Sequence, residues 1–103
     1  MQDFHGMHTG DLRLENDMDL YGMVVGNVVV PTGKYLILHG MITGDLKIES
    51  GARMVVHGMV QGAVLNLGGD VTIFGMVEIV DDQGPTKTKI MAGAMISKSK
   101  RLG

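Results

Sequence analysis

The chain has 103 residues, of which 45% are apolar, and a formal net charge of -2 at pH 7. These values predict one domain of ordinary hydrophobicity with no basic surface for nucleic acid, and the absence of cysteine excludes disulfides and thiolate metal sites. Since the sequence has neither a signal-peptide pattern nor an apolar run of about 18 residues, we expect a cytoplasmic protein with no direct membrane anchor.

A Gly-Met dipeptide recurs along the chain at spacings of 16, 18, 18 and 17 residues. The copies begin at Gly6, Gly22, Gly40, Gly58 and Gly75. In four of the five copies a second glycine follows four residues after the first, at Gly10, Gly26, Gly44 and Gly62. A repeat this short cannot contain two packed helices, and its apolar and polar residues alternate with a period of two, which predicts short strands.

Alignment of the copies on their first glycine places apolar residues at equivalent positions of successive repeats, and we call each such series a column. The columns are Met18, Leu36, Met54 and Val71; Phe4, Leu20, Leu38, Val56 and Ile73; His8, Val24, Ile42, Val60 and Val77; Leu12, Val28, Leu46 and Val64; and Leu14, Val30 and Ile48, which Asn66 interrupts. Such columns predict a solenoid whose coils pair their backbones with the coils above and below. We therefore predict an all-β, single-domain parallel β-helix over residues 1–96, with about six short coils of 16–18 residues.

Each coil must turn corners, where the backbone needs a positive φ or a close approach to its neighbour. Glycine satisfies both needs, and a further corner is marked by Gly33, Gly51, Gly68 and Gly84. The turn formers Asp11, Asn27 and Asp45 follow the second glycine of their repeats.

The repeat becomes irregular after Val80. Gly93 lies 18 residues after Gly75, which predicts a partial sixth coil and places Lys89 in an inward column. Beyond this coil, residues 97–103 form a basic segment that we predict to be disordered.

An open β-helix exposes unpaired backbone groups at both ends, and only three residues precede Phe4. We therefore expect assembly contacts at the ends. The candidate residues are Phe4, His8 and Leu12 in the first coil, and Met91 and Met95 in the last.

Two outward columns run side by side: the methionines of the Gly-Met repeat, and a column of His5, Tyr21, His39, His57 and Phe74. His39 and His57 lie near enough to share a metal in principle, but two ligands with no carboxylate column predict ring stacking instead. The methionines pack at a corner of the core or form a soft contact surface. We predict a lateral protein-interaction strip of Tyr21, Met23, His39, Met41, His57, Met59, Phe74 and Met76.

Three segments carry a family resemblance: YGMVVGNVVVPTGK (21–34), HGMITGDLKIESGA (39–52) and VHGMVQGAVLNLGGDVTIFGMVEI (56–79). Over residues 4–80 the chain resembles the bactofilins, which are polymer-forming bacterial cytoskeletal proteins. The resemblance implies a compact right-handed parallel β-helix of about six coils, whose subunits stack end to end into filaments without nucleotide.

A left-handed β-helix is the alternative, because its coil also has eighteen residues and apolar residues recur every six positions from Leu12 to Val60. That fold favours a small residue after each aliphatic one, where this chain has Arg13, Asp19 and Glu49. We prefer the right-handed form. The left-handed form would indicate the trimeric hexapeptide-repeat acyltransferases and related carbonic anhydrases.

Catalytic motifs are missing from the sequence, which has no GxSxG elbow, no P-loop and no cysteine nucleophile. We predict no catalytic residue, no cofactor and no metal site. The expected function is that of a non-enzymatic structural protein that self-associates end to end, like a bactofilin cytoskeletal or scaffold element. The alternative is a non-polymerising β-helix that binds another protein through the lateral strip, as an adaptor or as an inhibitor such as a toxin immunity protein.

Overall fold

The computed structural model describes residues 2–84 and 88–101, and over these residues it is an all-β solenoid of about five turns. The first coil contains β1 (Gln2–Phe4), β2 (Met7–Thr9) and β3 (Leu12–Arg13); the second contains β4 (Met18–Leu20), β5 (Met23–Val25) and β6 (Val28–Val30); the third contains β7 (Tyr35–Leu38), β8 (Met41–Ile42) and β9 (Leu46–Ile48). The fourth coil contains β10 (Arg53–Val56) and β11 (Met59–Asn66), the fifth β12 (Asp70–Ile73) and β13 (Met76–Asp82), and the last β14 (Lys89–Ile90) and β15 (Met95–Arg101). The predicted parallel β-helix is confirmed.

All the strand pairs of the described residues are parallel, and they form two sheets. One sheet stacks the first strand of every coil in the order β1-β4-β7-β10-β12-β14. The other covers two faces, because the long strands β11, β13 and β15 continue around a corner where earlier coils have two separate strands. The pairing register between β11 and β13 shifts at this corner, between Val60 and Ala63.

The predicted inward columns form the core. From the second coil onward they are buried, and Leu20, Leu38, Val56 and Ile73, for example, are fully inaccessible to solvent. Phe4 and Leu12 of the first coil are only partly buried, although they pack against the same core. The columns that begin at Phe4 and Leu12 are therefore partly open at the first coil and buried in the second.

Corner residues support the stack in two ways. Gly33 and Gly51 have φ of 82° and 81°, a left-handed conformation that other residues adopt only with strain. At another corner, each polar side chain accepts a hydrogen bond from the next coil: Asn27 N donates to Asp11 Oδ1 (3.0 Å), and Asp45 N donates to Asn27 Oδ1 (2.8 Å). Both observations confirm the corner roles predicted from the sequence.

The last coil differs from the prediction. Lys89 pairs with the outward residue Thr72 and is exposed, so Thr88 occupies the inward position instead. A buried ammonium group would lose its hydration, whereas the Thr88 hydroxyl finds polar partners inside. The last strand also continues to Arg101, beyond the predicted end of the β-helix at Ile96, and pairs with β13 as far as Asp82. The last two residues of the predicted disordered tail lie outside the described residues.

A buried polar cluster lies beneath this last coil, formed by Asn66, Asp82 and Thr88. Thr88 donates its backbone N–H to Asp82 (3.2 Å) and its hydroxyl to the same carboxylate. Asn66 Nδ2 donates to Thr88 Oγ1 at 3.3 Å. Asn66 Oδ1 accepts from the N–H groups of Gly68 and Gly69, so the side chain that interrupts its column caps a turn.

Candidate interaction surfaces

Five aromatic rings form a continuous stack on the outside of the solenoid. The rings belong, in order, to His5, Tyr21, His39, His57 and Phe74. Successive centroids are 4.9, 4.4, 5.4 and 4.9 Å apart, and no two neighbouring planes differ by more than 12°. This is the stacked ladder expected from the sequence, and it follows from the parallel register, which places equivalent side chains one coil apart.

His39 is the one ring of this stack with an acidic neighbour among the described ion pairs. Its Nε2 lies 3.4 Å from Asp19 Oδ1. Tyr21 stacks on one face of the imidazole and His57 on the other. In the described part of the chain, no three His, Asp or Glu side chains are grouped so that they could hold a metal ion.

The methionine column lies beside the ring stack, with the first glycines of the repeats between them. Together they enclose an elongated apolar groove of about 1010 Å³. It is lined by Met7, Met23, Met41, Met59, Met76 and Met95 on one side, by Tyr21, His57 and Phe74 on the other, and by Gly6, Gly22, Gly40, Gly58, Gly75 and Gly93 at its base. The predicted lateral strip is thus one continuous surface, with His39 in the ring stack at its edge.

The backbone explains why the base of the groove is glycine. In the second to fifth repeats the residue before the glycine and the glycine itself both donate to one carbonyl of the preceding coil; His39 N and Gly40 N, for example, donate to Leu20 O at 2.8 and 2.9 Å. The same pattern joins His57 and Gly58 to Leu38 O. This close approach leaves no room for a side chain between neighbouring coils.

The first coil presents an open end. Its strands β1, β2 and β3 each have one neighbouring strand, in the second coil, and their other edges are unpaired among the described residues. A depression of about 340 Å³ opens there, lined by Phe4, His8, Leu12, Leu14 and Met18 together with polar residues. His8 lines this depression, and its Nε2 lies within hydrogen-bond distance, 3.3 Å, of the Asp11 carbonyl oxygen.

The last coil presents the opposite end, where β14 and β15 each have one neighbour among the described strands. Its apolar side chains are unusually accessible: Ile90 is 37% exposed, Met91 41% and Met95 62%. Met91 and Met95 are the residues that the sequence predicts for assembly, and Ile90 is an exposed apolar residue beside them that the prediction does not include. The 17-residue spacing from Ile73 could have identified it, because Ile73 and Ile90 are paired in register.

Comparison of the chain with protein-family models, with curated proteins and with solved structures finds no significant match. Among the described residues, no helix is long and apolar enough to cross a lipid bilayer.

Proposed function

We propose that this protein is a non-enzymatic structural element that assembles end to end through the terminal coils of its β-helix, as the resemblance to bactofilins implies. The observation that carries the proposal is the state of the two ends. In the described residues, every strand of the first and last coils has a backbone edge without a partner, and apolar side chains lie beside these edges.

Unpaired strand edges are templates for pairing with another chain, and proteins that remain monomeric usually cover them with charges, bulges or a capping element. A second copy of the chain meets the requirement well, because its own coil has the same dimensions and the same column spacing. Such a contact pairs backbone groups with backbone groups and covers Phe4, Leu12 and Ile90 from water.

The test is the mass of the wild-type protein and of Phe4→Arg, measured by size-exclusion chromatography with light scattering and by negative-stain microscopy. The wild type should form species that lengthen with concentration. Phe4→Arg puts a charge into the contact and should shift the protein to smaller species without loss of the β-sheet circular dichroism signal. Lys47→Ala, an exposed change in the middle of the solenoid, is the matched control and should assemble normally.

A second candidate function is a discrete protein-binding module, and the groove beside the ring stack favours it. Met-rich apolar surfaces adapt to the side chains of a partner, and here the methionines and rings of several coils line one continuous apolar groove. The occupant would be an apolar segment of another protein lying along the stacked coils. A wild type that is monomeric at high concentration and shows discrete particles without filaments in microscopy would favour this function over end-to-end assembly.

A further inference from the structure

Two outward columns begin with an acidic residue in the first coil and end with a basic residue in the last. One of them starts at Asp3, which pairs in register with Asp19, and it continues through Ile37 and Val55. Thr72 follows, and Lys89 ends the column. Asp3 and Lys89 are both exposed.

A second column shows the same reversal. It starts at Asp11, and each later member donates its backbone N–H to the side chain of the member before it. Asn27 donates to Asp11, Asp45 to Asn27, and Ala63 to Asp45. Ala63 pairs with Ile79, and Ile79 pairs with Lys98. Lys98 is exposed at the last coil, as Asp11 is at the first.

Two apolar columns also have an apolar residue at both ends, so they could continue across a junction between two molecules. The column that begins at Phe4 ends at Ile90, and the methionine column runs from Met7 to Met95. Met91 takes the position after Phe74 in the ring column that begins at His5, because Met91 N donates to Ile73 O (2.9 Å) as Phe74 N donates to Val56 O (2.8 Å) one coil earlier. Thioether sulfur makes favourable contacts with aromatic rings, so this column too could continue from one molecule to the next.

We propose that the protein assembles head to tail, with the last coil of one copy seated on the first coil of the next in the register that its own coils follow. This inference rests on the proposed end-to-end assembly and adds its polarity. Strands in such a stack are about 4.8 Å apart, so Lys89 of one copy lies beside Asp3 of the next, and Lys98 lies beside Asp11.

Net charge favours the same polarity. The first coil, residues 2–17, has four carboxylates and one arginine, whereas residues 88–101 have four lysines or arginines and no carboxylate. Two first coils placed face to face repel each other, and so do two last coils, while a first coil attracts a last coil. The column of Arg13 is an exception, because it begins at a basic residue and ends at the position of Lys100. Arg13 already forms an ion pair with Glu49 within its own molecule.

A charge exchange tests the register. Asp3→Lys and Lys89→Asp should each weaken assembly, by roughly five- to tenfold in the association constant, because an attractive pair becomes repulsive. The double variant should recover assembly to within roughly threefold of the wild type, since the pair is restored with its signs reversed. Both positions are exposed, so the fold should tolerate each change. Additive losses in the double variant would overturn the register.

A mixing experiment tests the polarity directly. Phe4→Arg blocks the first coil and Ile90→Arg blocks the last. Both substitutions introduce a positive charge, so the two blocked ends repel each other and cannot form a junction. In a head-to-tail assembly each variant alone stays monomeric, and an equimolar mixture forms a dimer with one junction.

The same measurements distinguish a failure of the head-to-tail inference from a failure of end-to-end assembly. If each variant alone forms dimers and the mixture contains nothing new, like ends join; the head-to-tail inference is then wrong and end-to-end assembly stands. A wild type that remains monomeric in the same light-scattering measurement overturns both.

Discussion

A Cβ atom on Gly40 would overlap the carbonyl oxygen of Gly22 in the preceding coil. The same overlap recurs for Gly22, Gly58 and Gly75, each against the first glycine of the coil before it. Gly6 occupies the same position of the repeat, but nothing lies within 4 Å of a Cβ built on it. The repeat therefore retains glycine for backbone contact between coils.

Gly40→Ala should destabilise the protein by at least about 3 kcal/mol, because the obstacle is backbone and cannot move aside as a flexible side chain would. Gly6→Ala is the matched control and should change the free energy of unfolding by no more than about 1 kcal/mol. Urea denaturation followed by circular dichroism measures both. Equal losses would show that glycine at this position is needed for its conformation and not for coil contact.

Leu38→Asp should unfold the protein. Leu38 is fully buried between Leu20 and Val56, so the carboxylate would have no partner and would cost several kcal/mol, against the roughly 5–15 kcal/mol of a typical domain. Lys47→Ala, on an outward position, should change stability by less than about 0.5 kcal/mol. A thermal melt of Leu38→Asp that matches the wild type would contradict the column assignment.

The core and the lateral strip were predictable because the repeat itself carries the information. Once the copies are aligned on glycine, Leu20, Leu38 and Val56 must share a face, since a parallel stack places equivalent residues one above another. The ring stack follows from the same rule. Where the repeat is regular, the sequence therefore predicts both the buried side chains and the neighbours of the exposed ones.

The last coil could not be predicted in this way, because its register depends on a polar cluster with no counterpart in the repeat. Counting 18 residues from Val71 gives Lys89, but the chain places Thr88 inward, where Asp82 and Asn66 hydrogen-bond to it. One residue of register moves a side chain to the other face. The sequence identifies Asn66 as an interruption, but the other two residues of the buried cluster, Asp82 and Thr88, lie 16 and 22 positions further along the chain, and their grouping is not evident from spacing.

Asn66→Leu should destabilise the protein by about 2–4 kcal/mol. The change removes the acceptor for Gly68 N at 3.0 Å and a hydrogen bond to Gly69 N at 2.8 Å, and it removes the donor to Thr88. Gln83→Leu replaces an exposed amide near the same cluster and should cost less than about 0.5 kcal/mol. Chemical denaturation compares the two, and equal stability would show that the buried amide contributes little.

The ion pair between Arg13 and Glu49 should make the stability of the protein depend on pH. The two guanidinium nitrogens lie 3.3 Å from the two carboxylate oxygens, and this hydrogen bonding lowers the pKa of Glu49, with smaller contributions from Thr32 N–H and from Lys47. A carboxyl with a lowered folded pKa stabilises the protein above its ordinary pKa of about 4.3, and that contribution is lost as the pH falls through the folded value. Arg13→Ala should raise the pKa of Glu49 toward the ordinary value in an NMR titration. Arg53→Ala removes the same charge from a side chain that lies over the Tyr35 ring, and it should leave the Glu49 titration in place.

Gly6→Ala also tests the end contact: it should leave the stability of the fold nearly unchanged and yet weaken assembly. In the second to fifth coils, a Cβ on the first glycine points at the backbone of the preceding coil; on Gly6 it points away from the molecule, toward the place that a neighbouring copy's last coil would occupy. A copy seated in coil register would meet that methyl group with its backbone, so the variant should fold like the wild type and yet assemble at least tenfold more weakly, the factor that about 1.4 kcal/mol of overlap produces. Light scattering of Gly6→Ala beside Lys47→Ala, at matched concentrations, makes the comparison. Unchanged assembly of a normally folded Gly6→Ala would mean that the first coil does not receive another coil in this register, even if Phe4→Arg shows that the same end takes part in assembly.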